Sequence, residues 1–284
     1  MVAGPSSGRT RHFVFAPYIA FLAVFLAWPG VYVFRSAFSQ GAAPRNPMLE
    51  AMTGQYRGSF IYSLQLSVAS AAIGLVVGAL VATAVVRLDH LRGLRNIVVG
   101  YSSVAANMGG IPLAFAFLAA FGMQGLATRL LREMNLDLVG WGFRITDFWG
   151  IVLVYLYFQI PLMTLVLVPA LDGLRTTWHE AAESLGASSA QYWRLVALPI
   201  LAPALLGGFL LLISNAFAAY ATAFALSSGS SRLVPVQIRF FLQGETITGK
   251  SNLGYAMAAW MVIITALLVI GFQVLVRRSE KWRA

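Results

Sequence analysis

Six long stretches of this chain carry no Asp, Glu, Lys or Arg, and that exclusion constrains the fold more tightly than any motif. The uncharged runs cover 13 to 34, 58 to 86, 96 to 128, 148 to 171, 195 to 231 and 251 to 276, or 22, 29, 33, 24, 37 and 26 residues. A helix needs about 20 apolar residues to cross a bilayer, and only an environment without water penalises a charge at every position of such a run. The runs predict an all-α polytopic membrane protein with about six transmembrane helices, organised as one transmembrane domain, 1-284. The spans are expected at about 13-34, 60-86, 97-121, 148-170, 197-218 and 253-276. The 37-residue run has room for two short spans, but no turn cluster interrupts its first 30 residues, so it is read as one span with a polar end at Ser227 to Ser231.

Cation density sets the orientation. With the N-terminus inside, the inner segments carry 11 Lys or Arg in 54 residues and the outer segments 9 in 86, a bias toward cytoplasmic ends for both termini. The first apolar run lacks a small-residue cleavage site and is read as a retained helix. The net charge of +10 does not indicate nucleic acid, because the 20 cations are dispersed over seven loops and tails rather than gathered in one soluble patch. Arg277, Arg278, Lys281 and Arg283 are placed to meet anionic lipid after the last span. With no cysteine, the chain has neither disulfides nor thiolate metal sites.

Between the fourth and fifth spans lies a polar insertion, 171-195. Its segment TWHEAAESLGASSAQYW offers an N-cap at Thr177 or Thr176, places Glu180 in the first turn and supplies good helix formers up to Gly186. A helix of two to three turns is marginal alone in water, so it calls for a partner surface. Gly186 permits a tight turn or a close backbone approach. From physics alone, the segment is either a docking element or an amphipathic connector at the headgroups.

The spacing of Glu180, Ala181, Ala182, Gly186, Val196, Leu198 and Pro199 resembles the signature of membrane subunits of binding-protein-dependent ABC importers. Residues 58 to 276 read as that family's core, and ANMGGIPLAFAF and NAFAAYATAFAL are similar to stretches of its polyamine and iron(III) group. The resemblance implies the type I importer permease fold and a coupling helix built on Glu180, Ala181, Ala182, Gly186, Leu198 and Pro199. It implies location in the bacterial inner membrane and, as partners, a second permease subunit, cytoplasmic ATP-binding subunits and an extracytoplasmic solute-binding protein. ATP and magnesium would bind the ATPase partner, leaving this chain without a cofactor or an enzymatic centre of its own.

Gly244 to Ser251 matches GxxxxGK[ST], the phosphate-cradling loop of nucleotide-binding domains, but that chemistry needs a preceding strand and a soluble sheet, and neither is indicated around it. Gly74 and Gly78, four apart in an apolar helix, point to close helix packing. Pro112, Pro161, Pro169 and Pro203 lie in or at the ends of spans, where kinks and ordinary packing are both open. A carboxamide in hydrocarbon is costly without a partner, so Asn107, Gln159 and Asn215 are expected to face the bundle interior with Tyr220, either lining a translocation path or tying helices together. His12, His90 and His179 read as solvated groups near the interface. The alternative class is an ion-gradient-driven carrier or channel; against it stand spans without ionisable residues and the lack of a halfway repeat.

Overall fold

A computed structural model describes residues 17–39, 46–88, 91–227, 232–243 and 250–280. The residues before 17, His90, most of the Gly244 to Ser251 match, Lys281 and Arg283 lie outside that set. The described residues form helices: α1 (Pro17–Phe38), α2 (Pro47–Glu50), α3 (Gly54–Arg87), α4 (Arg92–Ala105), α5 (Ile111–Phe121), α6 (Leu126–Glu133), α7 (Phe148–Asp172), α8 (Thr176–Ser184), α9 (Ser189–Ala218), α10 (Tyr220–Ser227), α11 (Val234–Gln243) and α12 (Ser251–Glu280). Six stretches are long and apolar enough to cross a membrane: α1, α3, Ile111–Glu133, α7, α9 and α12.

Two of these helices contain a π-type turn, at Ala23–Ala27 and at Trp193–Ala197, and a proline explains each. Pro29 and Pro199 have no N–H to return to the carbonyls of Phe25 and Leu195, which loosens the i to i−4 ladder. The residue before each proline bonds one step further back instead: Trp28 N–H donates to the Ala23 carbonyl and Leu198 N–H to that of Trp193.

The chain divides into two packed units. One comprises the residues up to Arg57 together with Ile238–Trp260. Within it, the Trp260 indole donates to the Met48 carbonyl (3.0 Å), the Asn252 amide donates to the Ser39 carbonyl (3.0 Å), and Tyr32 meets Tyr255 edge to face (5.6 Å between ring centres). Lys250 Nζ stands 3.6 Å from Glu50 Oε1. The residues just before the nucleotide-loop match, Val234–Gln243, are helical rather than a strand.

The second unit comprises Gly58–Gln237 and the residues from Met261 on. Its centre is α7, the most enclosed of the six spans. One apolar cluster gathers around Leu66, Leu113, Tyr155, Phe158 and Ala216, another around Ala82, Met163, Leu167, Leu201 and Leu212. The small-residue face of α3 packs on α7. A Cβ added at Gly74 would sit 2.9 Å from Gln159 Cβ, and one at Gly78 would sit 2.6 Å from Met163 Cβ, so glycine is what lets the backbones approach.

The uncharged segment 96 to 128 differs most from its sequence reading. Residues 97-121, expected as one span, are interrupted: α4 ends at Ala105, α5 begins at Ile111, and Gly110 adopts φ +97° between them. Proline at the second position of α5 costs no helix hydrogen bond there.

Candidate functional site

The polar insertion is a helical hairpin whose turn is locked at both ends. Helix α8 starts one residue outside the better cap, with Arg175 at the N-cap and no side chain bonding the free N–H groups; neither Thr177 nor Thr176 caps it. Glu180 therefore falls in the second turn, not the first. At the other end, Gly186 takes φ +75°, its N–H bonds the Glu183 carbonyl (2.9 Å), and the Ala187 N–H reaches back to that of Ala182 (2.9 Å). This pair of bonds is the Schellman arrangement, and it explains why glycine follows the helix at this spacing. Nothing lies within 4 Å of where a Gly186 side chain would start, so the residue serves the turn and not a close approach.

Two residues later a capping box opens α9. The Ser188 hydroxyl accepts from the Gln191 N–H (3.3 Å), and the Gln191 side chain accepts from the Ser188 N–H (2.7 Å). The Ser-x-x-Gln spacing was present in the sequence and would have located this start. Tyr192 is buried and its ring meets that of His179 at a tilt of 60°, 4.6 Å between centres, and His179 Nε2 lies 3.3 Å from Glu183. The His179 side chain keeps 44% of its surface exposed, in keeping with a solvated group, while one side of the ring meets Tyr192 and its Nδ1 is enclosed without a partner. Glu180, Ala181 and Gly186 are exposed, Ala182 is half-buried, and Leu198 and Pro199 are exposed on α9. The apolar outlier is Leu185, 87% exposed at the tip of the hairpin.

The second site lies where two helices are broken. The gap between α4 and α5 faces the gap at Ala219 between α9 and α10, and a cavity of about 300 Å³ opens there. Its lining includes Asn107, Asn215, Tyr220 and Thr222. Broken helices at membrane depth expose backbone groups that need partners, and such places suit solute contact. Here the Thr222 hydroxyl accepts from the Gly110 N–H (2.7 Å), and the Tyr155 hydroxyl donates to the Ala219 carbonyl (2.9 Å). Asn107 donates to the Ser103 carbonyl (3.0 Å).

Of the four polar residues singled out in the sequence, three line this cavity and one does not. Gln159 is fully buried between α7 and α3, where its amide donates to the Ser70 hydroxyl (3.0 Å) while its Oε1 has no partner. Thr222 and Gly110, which hold the two breaks together, were missed. The Gly109-Gly110-Ile111-Pro112 run was the available signal for the first break. Among the described residues, no cluster of acidic and His side chains could hold a metal ion.

Residues 74–283 match the family model described as "Binding-protein-dependent transport system inner membrane component". The chain is 26% identical over 220 residues to the spermidine/putrescine transport system permease protein PotC of Haemophilus influenzae, covering 78% of this chain and 76% of that one. It is 28% identical over 269 residues to the sulfate transport system permease protein CysW of Escherichia coli K12, covering 91% and 86%. Among solved structures, a bacterial ABC transporter involved in the import of the acidic polysaccharide alginate superposes with a TM-score of 0.70 over 95% of each chain at 17% identity, a likeness of fold. The all-α fold with six membrane-crossing helices and the importer resemblance read from the sequence are borne out, and the ion-driven carrier is set aside. This chain belongs to the binding-protein-dependent transport system inner membrane component family: it is a multi-pass permease subunit of an ABC importer, a class that works with a binding protein and a separate ATPase.

Proposed function

We propose that the hairpin from Thr176 to Tyr192 is the surface on which the ATPase subunit docks, and that the cavity at Asn107, Asn215 and Tyr220 is this subunit's part of the solute path. The observation that carries the first assignment is Leu185. A leucine 87% exposed on a short polar helix, held out by a Schellman turn on one side and a capping box on the other, is a preformed anchor for a groove. A connector lying at the headgroups has no need of so rigid a turn. On this reading both termini and the hairpin are cytoplasmic, ATP and Mg²⁺ bind the ATPase partner, and a second permease subunit completes the pathway opposite α7 and α9. Lipid covers the outer faces of α1 and α12, which are the least enclosed of the spans.

For the path, the informative property is neutrality. The cavity lining holds carboxamides, hydroxyls and backbone groups, with no ionised side chain. Such a surface replaces water for a passing solute without trapping either charge sign, which leaves selection to the extracytoplasmic binding protein. The related permeases PotC and CysW are named for a polyamine and an oxyanion, opposite in charge, and a neutral path suits a family of that breadth.

The test is co-purification of the ATPase with Leu185→Asp. The variant should insert normally and retain the ATPase at least tenfold less than the wild type. Undiminished retention, together with normal ATP-driven uptake, rejects the docking assignment.

A further inference from the structure

A second cavity, of about 310 Å³, lies behind the hairpin, enclosed by the last turns of α3 and α7 and the first turns of α8 and α9. Its lining includes two arginines, Arg87 and Arg175, along with Thr176, His179, Ser189 and Tyr192. Two features give it one electrostatic character. Arg175 is held with its guanidinium 5.7 Å over the Trp178 ring, and among the described residues neither it nor Arg87 has a carboxylate at ion-pair distance. The start of α8 is uncapped by any side chain, so its free N–H groups and the positive end of its dipole remain available beside Thr176. The nearest acid on α7, Asp172, is engaged by Arg95 and does not offset these groups.

We infer that this cavity binds a phosphate-type oxyanion. Two guanidinium groups supply charge-assisted hydrogen bonds in a fork geometry suited to phosphate oxygens, and a helix start supplies backbone N–H groups. The cavity sits at the ends of α3 and α7, two helices long and apolar enough to cross a membrane, so a lipid headgroup is one source of such an anion. The phosphate can therefore come from an anionic lipid or from a free anion. The inference does not depend on whether the hairpin docks an ATPase.

Phenylglyoxal modification of the full-length wild-type chain in nanodiscs, followed by peptide mass spectrometry, separates the cases without relying on a variant that must fold. Three conditions are compared: phosphatidylcholine alone, phosphatidylcholine with phosphatidylglycerol, and phosphatidylcholine with inorganic phosphate. Arg194, exposed on α9 just past the hairpin and not lining the cavity, is the internal control. Modification of Arg87 and Arg175 should slow at least threefold while Arg194 is unchanged. Slowing with phosphatidylglycerol identifies a lipid headgroup, and slowing with inorganic phosphate identifies a free anion. Equal rates in all three conditions, or equal slowing of Arg194, overturn the inference. As a second measurement, Arg175→Gln should lose at least one tightly retained phosphatidylglycerol in native mass spectrometry, while Arg194→Gln keeps the wild-type number. Where phosphatidylglycerol slows the modification, retention unchanged by Arg175→Gln counts against the site.

Discussion

The Gly110 N–H donates to the Thr222 hydroxyl across 2.7 Å, joining two helix interruptions that are 112 residues apart in sequence. The Thr222 side chain is itself buried, so the bond is shielded from competing solvent. Thr222→Val keeps the shape and removes the acceptor, leaving an amide N–H without its partner at a cost of about 1–3 kcal/mol. The variant should melt several degrees lower and lose most of its uptake, while Thr222→Ser should restore both. Wild-type uptake by Thr222→Val would show that this bond does not position the path.

Gln159 and Asn215 separate structure from path. Gln159→Leu gives up one hydrogen bond and also removes the unpartnered Oε1, and Ser70 keeps its own bond to the Ser67 carbonyl (3.1 Å). The net change in stability should be within about 1 kcal/mol, with at least half of the uptake retained. Asn215→Ala should instead lower uptake several-fold with little change in melting temperature. The assignment reverses if Gln159→Leu is stable and inactive while Asn215→Ala transports normally.

Two glycines that touch the same methionine should respond differently to alanine. At Gly78 a new Cβ would meet Met163 Cβ at 2.6 Å and the Ile160 carbonyl at 2.9 Å, atoms fixed by the α7 backbone. At Gly208 it would meet Met163 Sδ at 2.7 Å and Cε at 2.9 Å, the flexible end of that side chain. Gly78→Ala should destabilise by about 1–3 kcal/mol and Gly208→Ala by less than about 1 kcal/mol. Thermal melts of both variants in the same detergent test the ordering.

At the hairpin turn the left-handed backbone of Gly186 sets the cost. Gly186→Ala should loosen the end of α8 by about 1 kcal/mol, because L side chains disfavour φ +75° even with space around them. ATPase retention should fall several-fold with membrane insertion intact, and Glu180→Arg should weaken docking through its reversed charge alone. Full ATP-driven uptake by both variants would show that the hairpin is not the docking element.

Lys250 belongs to a nucleotide-loop pattern yet stands beside Glu50. Lys250→Ala should cost at most about 1 kcal/mol and leave the ATPase rate of the assembled importer unchanged. Photolabelling of residues 244 to 251 by azido-ATP would contradict that expectation.

The six spans were legible because exclusion of charge acts at every position of a run, so each run reports its own environment without help from the rest of the chain. The polar hairpin was legible because polar residues between spans stand out, and Gly186 marks its turn. The break at Gly110 was not, since nothing charged accompanies it and its partner Thr222 lies far along the chain. The fate of the carboxamides also depended on packing: Asn215 and Gln159 have the same chemistry, and only the placement of α3 against α7 decides that Gln159 is enclosed. The ring contact of His179 was not legible for a similar reason, because its neighbour Tyr192 is brought to it by the capping box at Ser188.

Helix α9 has one further consequence. It runs unbroken from Ser189, beside the hairpin, to Ala218, and Asn215 on its last turn lines the cavity at the helix breaks. At about 1.5 Å per residue, the 26 steps from Ser189 to Asn215 span about 39 Å of rod. On the proposed docking role, a push on the hairpin would be delivered to the cavity as axial or rotational displacement of a single element, with the wide turn before Pro199 as its most compliant joint. Stiffening that joint with Pro199→Ala would alter how much of the stroke arrives, independently of how tightly the push is applied.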